Sequence, residues 1–240
     1  MIGFLKRLLR GNELPEKLSY EAARGVLEAH RETREKELAA RPDAEPEMLY
    51  YLAGRGTVPA RRAVAANPAT PAAANRLLCE DVDSDVRAEL ARKIGRLLPD
   101  LLASERERVC ELTLETLQIL ANDQLARVRA ILAEEIKLLD CVPKHVIAAL
   151  ARDTQEAVCA PILEYSPLLS DSDLMEIVTS ARARNAIAAV ARRRGVSEAV
   201  SDAIVASLDI QAVAALLANP NARVREDTLE RVIDRARERR

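Results

Sequence analysis

The sequence predicts an all-α protein and, more narrowly, an α-solenoid, which is a stack of short antiparallel helix pairs. A phrase made of an apolar helix end, a polar turn and a Val-Arg pair that opens the next helix occurs three times. It reads LLCEDVDSDVRAEL at 77–90, ILANDQLARVRAIL at 119–132 and LLANPNARVREDTL at 216–229. Composition agrees with this, because 49% of the residues are apolar but only 2% are aromatic, so Ala, Leu, Val and Ile must form the interior. Such repetition indicates units that pack on their neighbours in single file.

Residues 1–45 are predicted to form a separate N-terminal segment with two helices. The first, in residues 1–12, is amphipathic, and the second, in residues 18–40, is highly charged with a narrow apolar stripe. Two prolines in residues 41–46 then break the helical pattern. The apolar face of the first helix is formed by Ile2, Phe4, Leu5, Leu8 and Leu9, opposite Lys6, Arg7 and Arg10.

Residues 46–240 are predicted to form the helical repeat array, with helices of two to four turns and very short links. Asn67-Pro68 and Pro99 are expected to end helices, and Thr57 and Thr70 to act as N-caps. The expected helices cover 47–54, 58–67, 71–78, 84–98, 104–120, 124–139, 143–152, 155–164, 172–181, 183–194, 198–208, 210–218 and 222–238.

Parts of this array resemble known families. The motif NPATP at 67–71 with its following apolar helix looks like the leucine-rich repeat variant, and DVDSDVRAELARKIG at 81–95 looks like a HEAT repeat. LEYSPLLSDSDLMEIV at 163–178, together with AIAAVARRRGVSEAVSDAIVASLD at 186–209, resembles the alphaproteobacterial domain-of-unknown-function family 2336. That resemblance extends over most of residues 50–235. It implies an all-helical, HEAT-like repeat domain in the cytoplasm, without assigned chemistry and without catalytic residues to carry over.

Composition and motifs give no sign of catalysis. The two histidines, His30 and His145, have no ligand partners at metal-binding spacing, and glycine-rich phosphate loops and the GxSxG motif are absent from the sequence. The four cysteines lie in or beside apolar helical stretches, which favours free thiols in a reducing compartment. We therefore predict no enzymatic activity, no catalytic residues, no cofactor and no metal site. The apolar start of the chain is interrupted by cations, so we expect no secretory signal.

Any binding by charge would depend on local patches, because the formal net charge of −2 gives no global attraction to nucleic acid or anionic lipid. Two acid-free stretches are candidate partner-binding patches for an acidic peptide, phosphate or nucleic acid. The alternative is that these arginine stems cover apolar surface while their head groups stay solvated. The patches contain Arg182, Arg184, Arg192, Arg193 and Arg194 in one stretch, and Arg55, Arg61, Arg62 and Arg76 in the other.

The arginine at the start of each repeated phrase has two interpretations. Arg87, Arg129 and Arg225 can form a structural ladder, in which each guanidinium pairs with an acidic or carbonyl group of an adjoining unit. They can instead form a row of cations that reads an acidic partner. The predicted helix in residues 1–12 has three interpretations. It can cap the first repeat, lie on a membrane surface or dock into a partner.

These observations favour a non-enzymatic, cytoplasmic helical-repeat scaffold or adaptor with a regulatory role in a bacterium, binding a protein or peptide partner. One alternative is a nucleic-acid-binding HEAT-like protein, which the scarcity of aromatic residues disfavours. The other is a peripheral adaptor at the inner membrane face that uses residues 1–12.

Overall fold

The protein is helical throughout the part that its structure describes. The computed structural model describes residues 32–103, 107–180 and 185–238, which contain fourteen α-helices and no β-strand. The predicted all-α class is therefore confirmed. The chain forms two compact units, Met1–Leu120 and Ala121–Arg240. The predicted boundary near residue 45 stays a prediction. The predicted helix in residues 1–12, with Ile2, Phe4, Leu5, Leu8 and Leu9, lies outside the described residues.

In the first unit, alternate helices pack together. Helices α1, α3 and α5 form one row, α2 and α4 form a second, and helices adjacent in sequence join the rows. Leu90, Ile94 and Leu98 are spaced four residues apart on α5 and are almost fully buried, as expected for an amphipathic helix facing a core. The bounds are α1 Glu32–Ala39, α2 Pro46–Arg55, α3 Val58–Ala66, α4 Ala72–Leu78, α5 Ser84–Leu102 and α6 Glu107–Ala121.

The second unit has the same alternating arrangement. Helices α7, α9, α11 and α13 form one row, while α10, α12 and α14 form the other. Alternation of this kind is what a stack of helix pairs requires. The bounds are α7 Ala126–Ile136, α8 Lys144–Ala151, α9 Glu156–Tyr165, α10 Asp171–Ser180, α11 Ala186–Ala191, α12 Glu198–Ala206, α13 Ile210–Ala218 and α14 Glu226–Glu238.

Two Asn-Pro pairs mark a repeated piece that the units share. Asn67, at the end of α3, donates from Nδ2 to the carbonyls 28 and 26 residues before it, at 2.7 and 2.8 Å. Asn219, at the end of α13, donates to the carbonyls 28 and 26 residues before it, at 2.8 and 2.7 Å. The bounds of α3 and α13 also match at this shift of 152 residues. Helices α1, α2 and α3 therefore correspond to α11, α12 and α13.

Three local predictions need correction. Pro99 does not end α5, which continues to Leu102, because a proline one turn from the end removes a single helical hydrogen bond and the Ala103 N–H closes the last turn on the Pro99 carbonyl. Thr70 is not an N-cap, since its hydroxyl donates to the Val64 carbonyl at 2.7 Å. Thr57 does occupy the N-cap position of α3, but its side chain makes no capping hydrogen bond.

Candidate partner-binding surface

The turns of the repeated phrase share one local geometry with two further turns, those at Asn67 and Asp153. In each, an Asp or Asn at the end of a helix accepts a hydrogen bond on its side-chain oxygen from the backbone N–H two residues later, at 2.8 to 3.0 Å. This Asx turn replaces the next helical hydrogen bond and redirects the chain. The residues that make it are Asn67, Asp81, Asp123, Asp153 and Asn219.

Arg129 joins two of these turns. Its Nη1 donates to the Asp123 carbonyl at 2.6 Å, and its Nε and Nη2 form a bidentate pair with the Asp153 carboxylate at 2.6 and 3.1 Å. Only 16% of the Arg129 side chain is exposed. Because both partners are backbone or carboxylate groups of successive turns, this guanidinium fixes the spacing between them.

The other two phrase arginines also bind within the protein. Arg87 is buried and donates from Nη1 to the Asp81 carbonyl of its own turn at 2.7 Å, the same contact that Arg129 makes with the Asp123 carbonyl. Arg225 is half exposed and forms an ion pair with Asp202 on α12.

Three of the four arginines in the predicted patch of the first unit are paired, and the fourth, Arg55, is exposed. Arg61 forms a bidentate pair with the Asp81 carboxylate at 2.6 and 3.0 Å and donates to the Gly56 carbonyl at 2.9 Å. Arg62 lies 3.4 Å from the Asp85 carboxylate. Arg76 pairs with Glu80 and Glu115 at 3.0 and 3.3 Å. These contacts place acids from other turns against a stretch that lacks acids in sequence.

The described arginines of the predicted patch in the second unit differ in their burial. Arg192 pairs with Glu164 at 2.9 Å, and Arg194 is exposed. Arg193 donates to the Leu163 and Ser166 carbonyls at 2.6 and 2.8 Å, where it satisfies the free carbonyls at the end of α9. Burial lowers the pKa of the Arg193 guanidinium. The remaining members, Arg182 and Arg184, lie outside the described residues.

Lys93 performs a similar task in the first unit. Its ammonium donates to the Val64 and Asn67 carbonyls at the end of α3, at 3.3 and 3.1 Å, and to Asn75 Oδ1 at 2.7 Å. Only 7% of the residue is exposed, and burial lowers its pKa to about 7. Nothing near Lys93 in the sequence singles it out, because its partners lie 18 to 29 residues away.

An apolar groove opens in the second unit between α13 and the second half of α14. It has a volume of about 330 Å³. The exposed fractions of Leu208, Ile210 and Leu217 are 55%, 65% and 50%, which is unusual for three neighbouring aliphatic side chains. The remaining lining residues are Val205, Val213, Ala214, Val232, Arg235 and Ala236.

Local structure holds this groove open. Asp209 caps α13 by accepting from the Ala212 N–H at 3.0 Å, which fixes the helix start directly beside the groove. Leu208 has a left-handed backbone with φ of 63°, a costly conformation for a residue with a Cβ. The Arg235 guanidinium, at the groove wall, is bound to the Val205 carbonyl at 2.9 Å. The groove surface that remains available is therefore mainly aliphatic.

Sequence reasoning missed the groove, although a signal for it exists. Helix α13 reads IQAVAALLA, with Gln211 as its only polar residue, so it is apolar on every side. A helix of this kind is normally covered on every side. In α13, Ala212 and Leu216 are buried, whereas Leu217 on the other face is exposed.

Two searches for other kinds of site gave negative results over the described part of the chain. Among those residues, no group of three or more His, Cys, Asp or Glu side chains is placed to hold a metal ion. None of the described helices combines the length and the apolar character needed to cross a bilayer.

Comparison with known proteins identifies one family. The family described as "Uncharacterised protein conserved in bacteria (DUF2336)" matches residues 158–240. No curated protein and no solved structure matches the chain. The predicted resemblance to family 2336 is thus confirmed from residue 158 onward, a region that contains the whole groove. Residues 158–240 of the chain are therefore similar to the DUF2336 family.

Proposed function

We propose that this protein is a non-enzymatic helical scaffold that binds a protein partner through the apolar groove of its second unit. The observation that carries the proposal is the exposure of Leu208, Ile210 and Leu217 around a cavity of about 330 Å³. Exposed, clustered aliphatic side chains mark interaction sites in soluble proteins. A regulatory adaptor role in the bacterial cytoplasm belongs to the same proposal, and the match to a bacterial family supports its bacterial setting.

The arginine patches are weaker candidates than the groove because several of their described arginines already bind acids or carbonyls of the same unit. The guanidinium groups of Arg61, Arg129 and Arg193 bind carboxylates or carbonyls of the same unit at 2.6 to 3.1 Å. A partner phosphate or carboxylate would have to displace these bonds and leave buried acceptors without donors. The groove requires no such exchange.

The size of the groove is consistent with a partner of moderate affinity. Removing a half-exposed Leu or Ile from water contributes about 1 kcal/mol, so the three side chains contribute about 3 kcal/mol before the costs of association. A partner helix that also contacts the walls formed by α12 and α14 would add to this. We therefore expect an exchangeable partner, as suits an adaptor.

In-cell photo-crosslinking of the full chain tests the proposal. A p-benzoylphenylalanine at position 210 is expected to crosslink to a protein partner, and the additional change Leu217→Asp is expected to abolish that product. The control carries the crosslinker at Val82, which is 92% exposed in the first unit. Circular dichroism confirms that each variant is folded. The proposal is wrong if positions 210 and 82 give the same products, or if Leu217→Asp leaves the products unchanged.

A further inference from the structure

The outer face of α2 in the first unit carries two exposed tyrosines. Tyr50 and Tyr51 are 50% and 52% exposed, and they are two of the four tyrosines in the chain. The buried face of the helix, which contains Leu49, is on its other side. Leu77 of α4 is 43% exposed and lies beside this outer face, because a Cβ added to Gly54 would lie 3.3 Å from the Leu77 Cδ2. We call Tyr50, Tyr51, Gly54 and Leu77 the tyrosine strip.

The helical fold does not require tyrosine at these two positions. Helix α12 corresponds to α2 at the shift of 152 residues, so Tyr50 and Tyr51 correspond to Asp202 and Ala203. Asp202 forms an ion pair with Arg231 of α14 and thereby makes this place a polar contact within the second unit. The two tyrosines are therefore large aromatic side chains left half exposed where the same fold accepts Asp and Ala. Side chains of this kind are the typical anchors of protein–protein interfaces.

The tyrosine strip lies between two opposite charges on the same helix. Glu47 is in the first turn of α2 and Arg55 is its last residue, and both are exposed. Among the residues that the structure describes, neither has a hydrogen bond or an ion pair. The next two arginines along the chain, Arg61 and Arg62, both pair with acids. Glu47 and Arg55 are eight residues apart, which is about 12 Å along a helix, so Tyr51 lies midway between them.

This arrangement is complementary to itself when it is reversed. If a second copy of α2 packs antiparallel on the first, across a twofold axis near Tyr51, each Glu47 faces the Arg55 of the other copy. The four tyrosine rings then meet at the centre, and Gly54, which has no side chain, leaves room for them. A parallel pair would instead place like charges together at both ends. A uniformly acidic or basic partner would likewise meet a like charge at one end of the strip.

We infer that the tyrosine strip binds a second copy of this chain, with the two α2 helices antiparallel. Tyr50, Tyr51 and Leu77 of each copy form the apolar centre of the interface, and two Glu47–Arg55 ion pairs close its ends. An apolar centre with Tyr anchors and a charged rim is the usual anatomy of a protein interface. This surface belongs to the first unit and is distinct from the groove, so the inference goes beyond the proposed function.

Sedimentation equilibrium of the purified full chain tests the inference. We expect the mass of the wild-type protein to rise from 26.4 kDa towards twice that value as the concentration increases. The double change Tyr50→Asp with Tyr51→Ala introduces the residues that α12 has at these positions, so the variant is expected to fold. We expect it to raise the dissociation constant of the dimer at least tenfold. Circular dichroism confirms that each variant is folded.

Charge reversal tests the antiparallel arrangement. Glu47→Arg and Arg55→Glu are each expected to weaken the dimer about fivefold, because like charges then face each other at both ends. An equimolar mixture of these two variants is expected to dimerise as well as the wild type, since every facing pair is again Arg with Glu. The control, Lys144→Glu, makes an equal change of charge at an exposed position in the second unit and should leave the dimer unchanged.

Each alternative occupant or arrangement gives a result that would overturn the inference. A chain that stays at 26.4 kDa at every concentration does not pair with itself. A dimer that survives the double tyrosine change, or that Leu217→Asp dissociates, uses another surface. A mixture of the two charge variants that dimerises no better than either variant alone excludes the antiparallel arrangement. Crosslinking at position 210 concerns the groove alone, so the proposed function can stand or fail independently of these results.

Discussion

Replacing Lys93 provides a quantitative test of how the first unit is held together. The amine lies among three acceptors, Val64 O, Asn67 O and Asn75 Oδ1, and burial lowers its pKa from 10.5 to about 7. Between pH 7 and 10.5 the unfolded chain binds a proton at this site that the folded chain releases. The free energy of unfolding therefore rises with pH in this window, and it is lowest at and below pH 7. One pKa unit corresponds to about 1.4 kcal/mol, so the gain between pH 7 and pH 9 is about 2 kcal/mol.

The assay compares wild-type protein with Lys93→Met in urea unfolding followed by circular dichroism at pH 7, 8 and 9. Titration of all other groups is common to both proteins and cancels in the difference between their free energies of unfolding. We expect that difference to change by about 2 kcal/mol in favour of the wild type from pH 7 to pH 9. A difference that stays constant within about 0.5 kcal/mol would show that Lys93 keeps an ordinary pKa, and the account of its burial would then be wrong.

Three further predictions concern the two Asn-Pro asparagines, Arg129 and Cys159. Asn67→Ala and Asn219→Ala are each expected to lower the free energy of unfolding by about 2 kcal/mol, because two carbonyls lose a donor; losses below about 0.5 kcal/mol in urea unfolding would contradict this. Arg129→Lys is expected to cost about 1–2 kcal/mol, since an ammonium cannot reproduce the planar fork, whereas Arg62→Lys at a half-exposed pair should cost less than about 0.5 kcal/mol; equal costs would argue against this account. Burial raises the pKa of the Cys159 thiol to about 11, so iodoacetamide at pH 8 should modify it in urea but not in the folded protein; mass spectrometry that finds modification of the folded protein would overturn this.

Local sequence signals predicted the helices well because those signals act within a few residues. The predicted helix 210–218 coincides with α13, and the end of α9 before Pro167 lies within one residue of its predicted place. A predicted cap failed where the side chain has another partner outside the helix. Thr70, read as an N-cap, instead donates to the Val64 carbonyl, and nothing in its immediate sequence distinguishes the two.

The acceptors of the candidate arginines could not be predicted from the sequence. Arg129 was selected for its position in the repeated phrase, yet its carboxylate partner, Asp153, lies 24 residues further on. Arg193 belongs to an acid-free run that suggested a free surface cation, but its partners are carbonyls 27 and 30 residues earlier. Packing of alternate helices brings these groups together, and a charge pattern read along the chain carries no information about backbone carbonyls.

By itself, the sequence determined that this protein is all-α and where most of its helices lie, because helical periodicity and turn-forming residues act over one or two turns. It also carries the similarity of residues 158–240 to the DUF2336 family. Only the tertiary structure decided which apolar faces are covered. Ala65 of α3 and Leu217 of α13 occupy corresponding positions, but Ala65 is buried in the first unit, while Leu217 faces the groove. The sequence does not distinguish a buried apolar residue from an exposed one, because exposure depends on which helices pack against it.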